Sequence, residues 1–125
     1  IRVIGLETAS DQANILFSMP DSEAVRTLWE MGTNRRKAQQ DWDELQTVFA
    51  LGNIDSIAKF IEESDEMKMD LEKMLFHRNR NWMKTLPALM KKKSVFIAVG
   101  AGHLGGSHGL VALLREAGYN VVEKQ

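Results

Sequence analysis

The sequence predicts an α/β domain in which a small parallel or mixed sheet carries a helical insert between the first strand and a C-terminal β-α-β unit. Two apolar runs rich in β-branched residues predict strands near residues 2–7 and 94–99, and a third strand follows near 119–123. One helix separates the last two strands, so we expect a parallel pair with a right-handed crossover. The residues between the first two strands repeat the apolar spacing of helices.

Each predicted helix carries apolar side chains three and four residues apart. In chain order the sets are Ala13, Leu16 and Phe17; Val25, Leu28 and Trp29; Trp42, Leu45, Val48 and Phe49; Ile57, Ala58 and Ile61; Met67, Leu71, Met74 and Leu75; Trp82, Leu86, Leu89 and Met90; and Leu110, Leu113, Leu114 and Ala117. Asp55 or Ser56 is predicted to cap the fourth helix, and Pro87 marks a kink or a new first turn. Gly118 is predicted to close the last helix.

The composition is that of one globular domain, residues 1–125. Apolar residues make up 44% and charged residues 26% of the 125, which excludes a disordered chain. The absence of cysteine excludes disulfides, a thiolate nucleophile and a sulfur-ligated metal. No uncharged stretch has the composition of a membrane span. The chain begins inside a predicted strand, at Ile1, so we expect further sequence upstream.

The charges are segregated along the chain. Residues 1–72 contain fifteen acidic and seven basic residues, whereas residues 73–115 contain eight basic residues and no acidic one. Two solvated faces of opposite charge explain this pattern most simply. The net charge is −1 and no aromatic residues are interleaved in the lysine run Lys91–Lys93, so we expect no nucleic-acid binding.

The turn after the second strand matches a dinucleotide-binding fingerprint. Gly100-Ala101-Gly102-His103-Leu104-Gly105 has the G-x-G-x-x-G spacing, and Glu123 lies about 20 residues further on, where it could bind a ribose. An NAD(P)-binding module of Rossmann type, using Gly100–Gly105, is therefore one alternative.

His103 and Glu7 are the other chemistry-bearing residues at predicted strand ends. If both strands belong to one parallel sheet, the two side chains emerge at the same edge as a metal-ligand or acid–base pair. The alternatives are a histidine hydrogen-bonded inside a tight turn, and a glutamate that caps the next helix with Thr8. Arg78 could bind a carboxylate or an oxyanion, or it could be a solvated arginine beside an N-cap at Asn79 or Asn81.

Three motifs in order resemble the TraB/GumN (Tiki-like) family. They are Gly5-Leu6-Glu7-Thr8 with Gln12, then Arg78-Asn79 with Trp82, and Val99-Gly100-Ala101-Gly102-His103-Leu104-Gly105-Gly106 with the segments after it. The resemblance spans essentially the whole chain. It implies a metal-dependent hydrolase, peptidase-like, that uses manganese or cobalt and acts on a peptide or protein.

By the same resemblance, His103 and Glu7 are expected metal ligands, and Glu7, Arg78 and His103 are the expected catalytic residues. The resemblance implies two G-x-x-H motifs, of which Gly100-Ala101-Gly102-His103 resembles the second. The first is missing, so we expect the chain to be the C-terminal half of a longer protein and inactive in isolation. An extracytoplasmic location, periplasmic or secreted, is expected by resemblance, with the cytoplasm as alternative. A homodimer could cover an exposed sheet edge. A non-catalytic peptide-binding domain remains a further alternative.

Overall fold

A computed structural model describes residues 2–64 and 71–124 of the chain, which fall into two compact units, Ile1–Thr47 and Val48–Gln125. The described α-helices are α1 (Ala9–Leu16), α2 (Asp21–Thr33), α3 (Arg35–Ala50), α4 (Ile54–Glu63), α5 (His77–Met83), α6 (Leu86–Met90) and α7 (Leu110–Glu116). A π-helical turn, Glu72–Phe76, leads into α5, and a 3₁₀ turn spans Ala101–His103. No described helix has the length and apolarity needed to cross a membrane.

The first unit consists of α1, α2 and most of α3. Thr8 and Asp11 form a reciprocal capping box at the start of α1, in which the Thr8 hydroxyl accepts from the Asp11 amide and the Asp11 carboxylate accepts from the Thr8 amide. None of the described side chains of α1, α2 and α3 is fully buried. Large apolar side chains such as Val25, Leu28 and Trp29 are 65–71% exposed.

The second unit contains the buried core. Ile57 and Ala58 of α4, Trp82 of α5, Leu86 of α6 and Leu110 of α7 are at most 6% exposed. α5 packs on the π-helical turn, on α6 and on α7, and the 3₁₀ turn packs on α4 and on the π-helical turn.

Helix boundaries in this unit follow from identifiable caps. The Asn53 side chain caps α4 by accepting from the Ser56 amide at 2.9 Å, so the predicted cap at Asp55 or Ser56 lies two to three residues too late. Pro87 lies in the first turn of α6, which confirms that it marks a new first turn rather than a kink, the two alternatives that the sequence left open. Gly118 follows α7 with φ +87°, which confirms the predicted C-terminal stop.

The predicted α/β fold is wrong. Residues 2–64 and 71–124 contain no strand, and the three segments predicted as strands, near 2–7, 94–99 and 119–123, are irregular. Phe96 is 93% exposed, Val3 90% and Val122 74%. An apolar β-branched run becomes a buried strand only when a neighbouring backbone pairs with it and both faces are covered, and the run itself does not encode that partner. Because the described residues form no sheet, the expected parallel strand pair, its crossover and the shared sheet edge are wrong as well.

Two further predictions are affected by these findings. The homodimer stays a prediction, but the exposed sheet edge from which it was argued is absent from the described residues. The part of the fifth helical pattern that begins at Met67 lies outside the described residues, whereas Leu71, Met74 and Leu75 are all half-buried in and before the π-helical turn.

Candidate functional site

His103 is the most deeply buried of the residues predicted to carry chemistry. It ends the 3₁₀ turn, where its amide donates to the Gly100 carbonyl at 3.0 Å and the Leu104 amide donates to the Ala101 carbonyl at 3.0 Å. The residue is 6% exposed. Its imidazole is therefore held inside the second unit, and its surroundings determine what it can do.

The glycines around His103 serve close packing of the chain on itself. A Cβ at Gly105 would lie 2.1 Å from the Ile54 carbonyl oxygen, and a Cβ at Gly109 would lie 2.2 Å from the Gly105 carbonyl oxygen. A Cβ at Gly102 would lie 2.9 Å from a terminal methyl of Ile61. At Gly105 the loop presses against backbone atoms at the start of α4, which only a residue without a side chain allows, whereas at Gly102 the close neighbour is the movable end of the Ile61 side chain.

The same packing does not suit a dinucleotide. The Gly106 amide donates to the Asp55 carboxylate at 3.0 Å, which places an acidic side chain directly beside the last glycine of the fingerprint, where it disfavours a pyrophosphate. Gly106 and Glu123 do line one cleft, of about 250 Å³, but Asp55 lines it too. That volume is below the range of ordinary cofactor sites, roughly 300–1,000 Å³. The geometry therefore gives the NAD(P) alternative no support.

Asn79 is the residue of this site that sequence reasoning missed. It lies inside α5, not at an N-cap, and is only 1% exposed. Its side-chain nitrogen donates to the backbone carbonyls of His103 at 3.2 Å and His108 at 2.8 Å, and its oxygen lies 2.8 Å from His103 Nδ1. The spacing of Asn79 and Trp82, three residues apart on one helix face, is the signal that could have indicated it.

Trp82 packs its indole against the imidazole. The ring centroids of Trp82 and His103 are 4.6 Å apart, with the planes tilted by 44°. Trp82 is 4% exposed, and its Nε1 donor has no hydrogen-bond partner among the described residues. A buried donor without an acceptor is costly and often marks a place where a water or ligand oxygen binds.

Arg78 lies next to this pair. Its guanidinium carbon is 5.3 Å from the centroid of the Trp82 ring, within cation–π distance, and its Nη1 donates to the Met74 carbonyl at 2.9 Å. The second unit thus joins Arg78, Asn79 and Trp82 of α5 to His103 of the loop. We call these four residues the α5–loop cluster.

Glu7 lies in the first unit, directly before the N-cap residue of α1. The glutamate is half-buried and its Oε1 accepts from the Gln12 side-chain amide at 2.9 Å. Thr8 and Asp11 cap α1, so Glu7 does not have the capping role that the sequence left open. The expected meeting of Glu7 and His103 depended on a shared sheet edge, which the described residues do not contain.

The cluster does not form a complete metal centre. Residues 2–64 and 71–124 contain no group of three or more His, Cys, Asp or Glu side chains placed to hold a metal ion. An imidazole is a good ligand for a divalent transition metal, but His103 would supply only one of the ligands required.

These features define a helical domain with a buried histidine. One helix holds that histidine through an asparagine and a tryptophan three residues apart. The chain belongs to the TraB/PrgY/gumN family, whose model matches residues 1–123. The predicted resemblance is thereby confirmed. No curated protein and no solved structure matches the chain significantly.

Proposed function

We propose that this chain contributes the imidazole- and guanidinium-bearing part of a hydrolytic site that acts on peptides. The observation that carries the proposal is the α5–loop cluster, in which a buried histidine is oriented by hydrogen bonding and aromatic packing. Two of the three motifs that carry the family resemblance, Arg78-Asn79 with Trp82 and the glycine-rich turn, meet in this cluster. Enzymes orient a working imidazole in this manner.

The chemistry of the cluster suits the attack of water on a carbonyl. The His103 imidazole would hold a divalent metal ion, which when bound would lower the pKa of the attacking water, so the proton acceptor must be a group other than His103. Arg78 would stabilise the developing oxyanion, since a guanidinium remains charged throughout the accessible pH range. Trp82 Nε1 is a buried donor that a bound oxygen would satisfy.

Manganese or cobalt is the proposed cofactor, with His103 as one ligand. The described residues do not supply the remaining ligands, so no step of the reaction is derived through the metal. The role of Glu7 as ligand or general base stays a prediction from the resemblance, as does the extracytoplasmic location.

A manganese titration of the amide NMR spectrum tests the proposal on the whole chain. We expect paramagnetic broadening centred on residues 102–104, lost in His103→Ala and retained in His77→Ala, a matched control at an exposed histidine. A pool of short peptides, added separately, should shift the resonances of Arg78 and of residues 100–104.

Each outcome distinguishes the proposal from its rivals. Broadening that is spread over the acidic residues of 55–72 and unchanged in His103→Ala would contradict the metal role. Peptide shifts without specific metal broadening would favour a non-catalytic peptide-binding domain instead. If neither ligand affects residues 100–104, the proposal is wrong.

A further inference from the structure

The orientation of the Asn79 side chain follows from its partners. Its nitrogen faces two backbone carbonyl oxygens, those of His103 at 3.2 Å and His108 at 2.8 Å. Carbonyl oxygens only accept hydrogen bonds, so the end of the amide that faces them must be the donating NH₂ group. The opposite end, which faces His103 Nδ1 at 2.8 Å, is therefore the carbonyl oxygen.

From this we infer that Asn79 fixes the tautomer of His103, with the ring proton on Nδ1. An amide oxygen carries no hydrogen to donate, so the short contact requires Nδ1 to be the donor. In the neutral ring the other nitrogen, Nε2, then carries the lone pair. Any metal coordination or proton acceptance by the neutral His103 ring would therefore fall to Nε2.

Burial makes this selection strong. Asn79 is 1% and His103 6% exposed, so water has little access to replace the bond between them. The opposite tautomer would set the Nδ1 lone pair against the amide oxygen and leave both buried groups without their hydrogen bond. A single hydrogen bond of ordinary net strength already favours one tautomer about tenfold.

The ring plane is restrained as well as the tautomer. The Trp82 indole covers the imidazole at 4.6 Å between centroids, which opposes rotation of the ring away from Asn79. Asn79 is thus a positioning residue: it acts through His103 and need not touch a substrate. A role of Asn79 in the reaction rests on the proposed function above, whereas the tautomer of His103 follows from the hydrogen bonds alone.

Nitrogen-15 NMR of the histidine rings tests the inference directly. In a two-bond ¹H–¹⁵N spectrum of the whole chain, recorded at a pH where the rings are neutral, the cross-peak pattern separates the two tautomers. We expect His103 to show a protonated Nδ1 and an unprotonated Nε2. The exposed His77 is the internal control and should show the proton mainly on Nε2, the preference of histidine in water. A protonated Nε2 on His103 would overturn the inference.

The variant Asn79→Ala tests the cause, with Asn81→Ala as matched control on the same helix. We expect His103 to lose its Nδ1-protonated preference in Asn79→Ala and to keep it in Asn81→Ala, whose side chain instead accepts from Lys84. An unchanged His103 pattern in folded Asn79→Ala would show that Asn79 is not the cause. If that variant does not fold, the wild-type spectrum alone decides, because only the Nδ1-protonated form agrees with the geometry.

Metal binding separates this inference from the proposed function. Loss of an outer-shell partner of a ligating histidine weakens metal binding by about 10–100-fold, which is the effect expected for manganese in Asn79→Ala but not in Asn81→Ala. If His103 carries its proton on Nδ1 and yet no manganese binds at residues 102–104, the proposed function fails and the tautomer stands. If manganese binds there but the proton lies on Nε2, the tautomer inference fails and the proposed function stands.

Discussion

Gly105 provides the most direct test of how the loop is held against α4. In Gly105→Ala the new methyl carbon would lie 2.1 Å from the Ile54 carbonyl oxygen and 2.9 Å from the Asp55 amide nitrogen. Ordinary contact begins at 3.4 Å, so the loop and the helix must separate by about 1.3 Å. That shift also strains the 3.0 Å bond from the Gly106 amide to the Asp55 carboxylate.

The expected cost follows from overpacking against backbone that cannot rotate away. Overpacking costs about 1–3 kcal/mol and a weakened hydrogen bond about 1 kcal/mol more, so Gly105→Ala should lose about 2–4 kcal/mol of unfolding free energy. Gly100→Ala is the matched control in the same loop. Its methyl would meet only the His103 ring, at an ordinary 3.8 Å, and we expect a change within about 0.5 kcal/mol.

Urea denaturation followed by Trp82 fluorescence measures both variants. Trp29→Phe and Trp42→Phe leave Trp82 as the single reporter, and both replaced residues are more than half exposed, so the background should be folded. The midpoint should fall by about 1–3 M in Gly105→Ala, given the usual urea slopes. Equal midpoints for Gly105→Ala and Gly100→Ala would refute the packing argument.

Three further predictions concern the core, a helix cap and an ionised group. Leu86→Ala, at 1% exposure, should cost about 2–5 kcal/mol in urea denaturation, and Leu51→Ala, at 72% exposure, less than about 0.5 kcal/mol; similar losses would contradict the assigned core. Asn53→Ala removes the cap of α4 and should cost about 1 kcal/mol in the same assay, so an unchanged midpoint would contradict that cap. Hydrogen bonds from the Thr8 side chain and then its backbone lower the pKa of Asp11 below 3.8. The stabilisation of α1 should therefore be complete above pH 3.8 and lost as the pH falls through the folded-state pKa, and amide shifts at residues 8–16 that do not change in acid would contradict this.

Helical periodicity was the part of the fold that the sequence could predict. Apolar spacing indicates which face of a helix packs, and that information is local, so the segments around Ile57, Trp82 and Leu110 were assigned correctly. The strands could not be predicted in this way. A run such as residues 95–99 has the composition of a buried strand, but pairing depends on another backbone segment being available to it.

The family signature could be predicted, whereas the arrangement of the site could not. Their chemistry and their place in motifs single out Glu7, Arg78 and His103, whereas the sequence marks Asn79 only as a member of one motif and as a possible helix cap, with no role in the site. The structure gives Asn79 the contact with His103 because α5 continues through it and turns it inward beside Trp82. That orientation depends on where the helix begins, and the π-helical turn before His77 determines this beginning.

The α5–loop cluster shows how a histidine can be buried here with a ring nitrogen hydrogen-bonded. A buried polar ring must have its hydrogen bonds satisfied, and Asn79 satisfies one nitrogen while two backbone carbonyls hold the amide in place. This arrangement commits Nδ1 to the hydrogen bond with Asn79, and on the proposed function any metal binding or proton transfer by the neutral ring would fall to Nε2. Substitution of Asn79 should therefore affect both the folding of the second unit and the reactivity of His103, whereas substitution of the exposed His77 should affect neither.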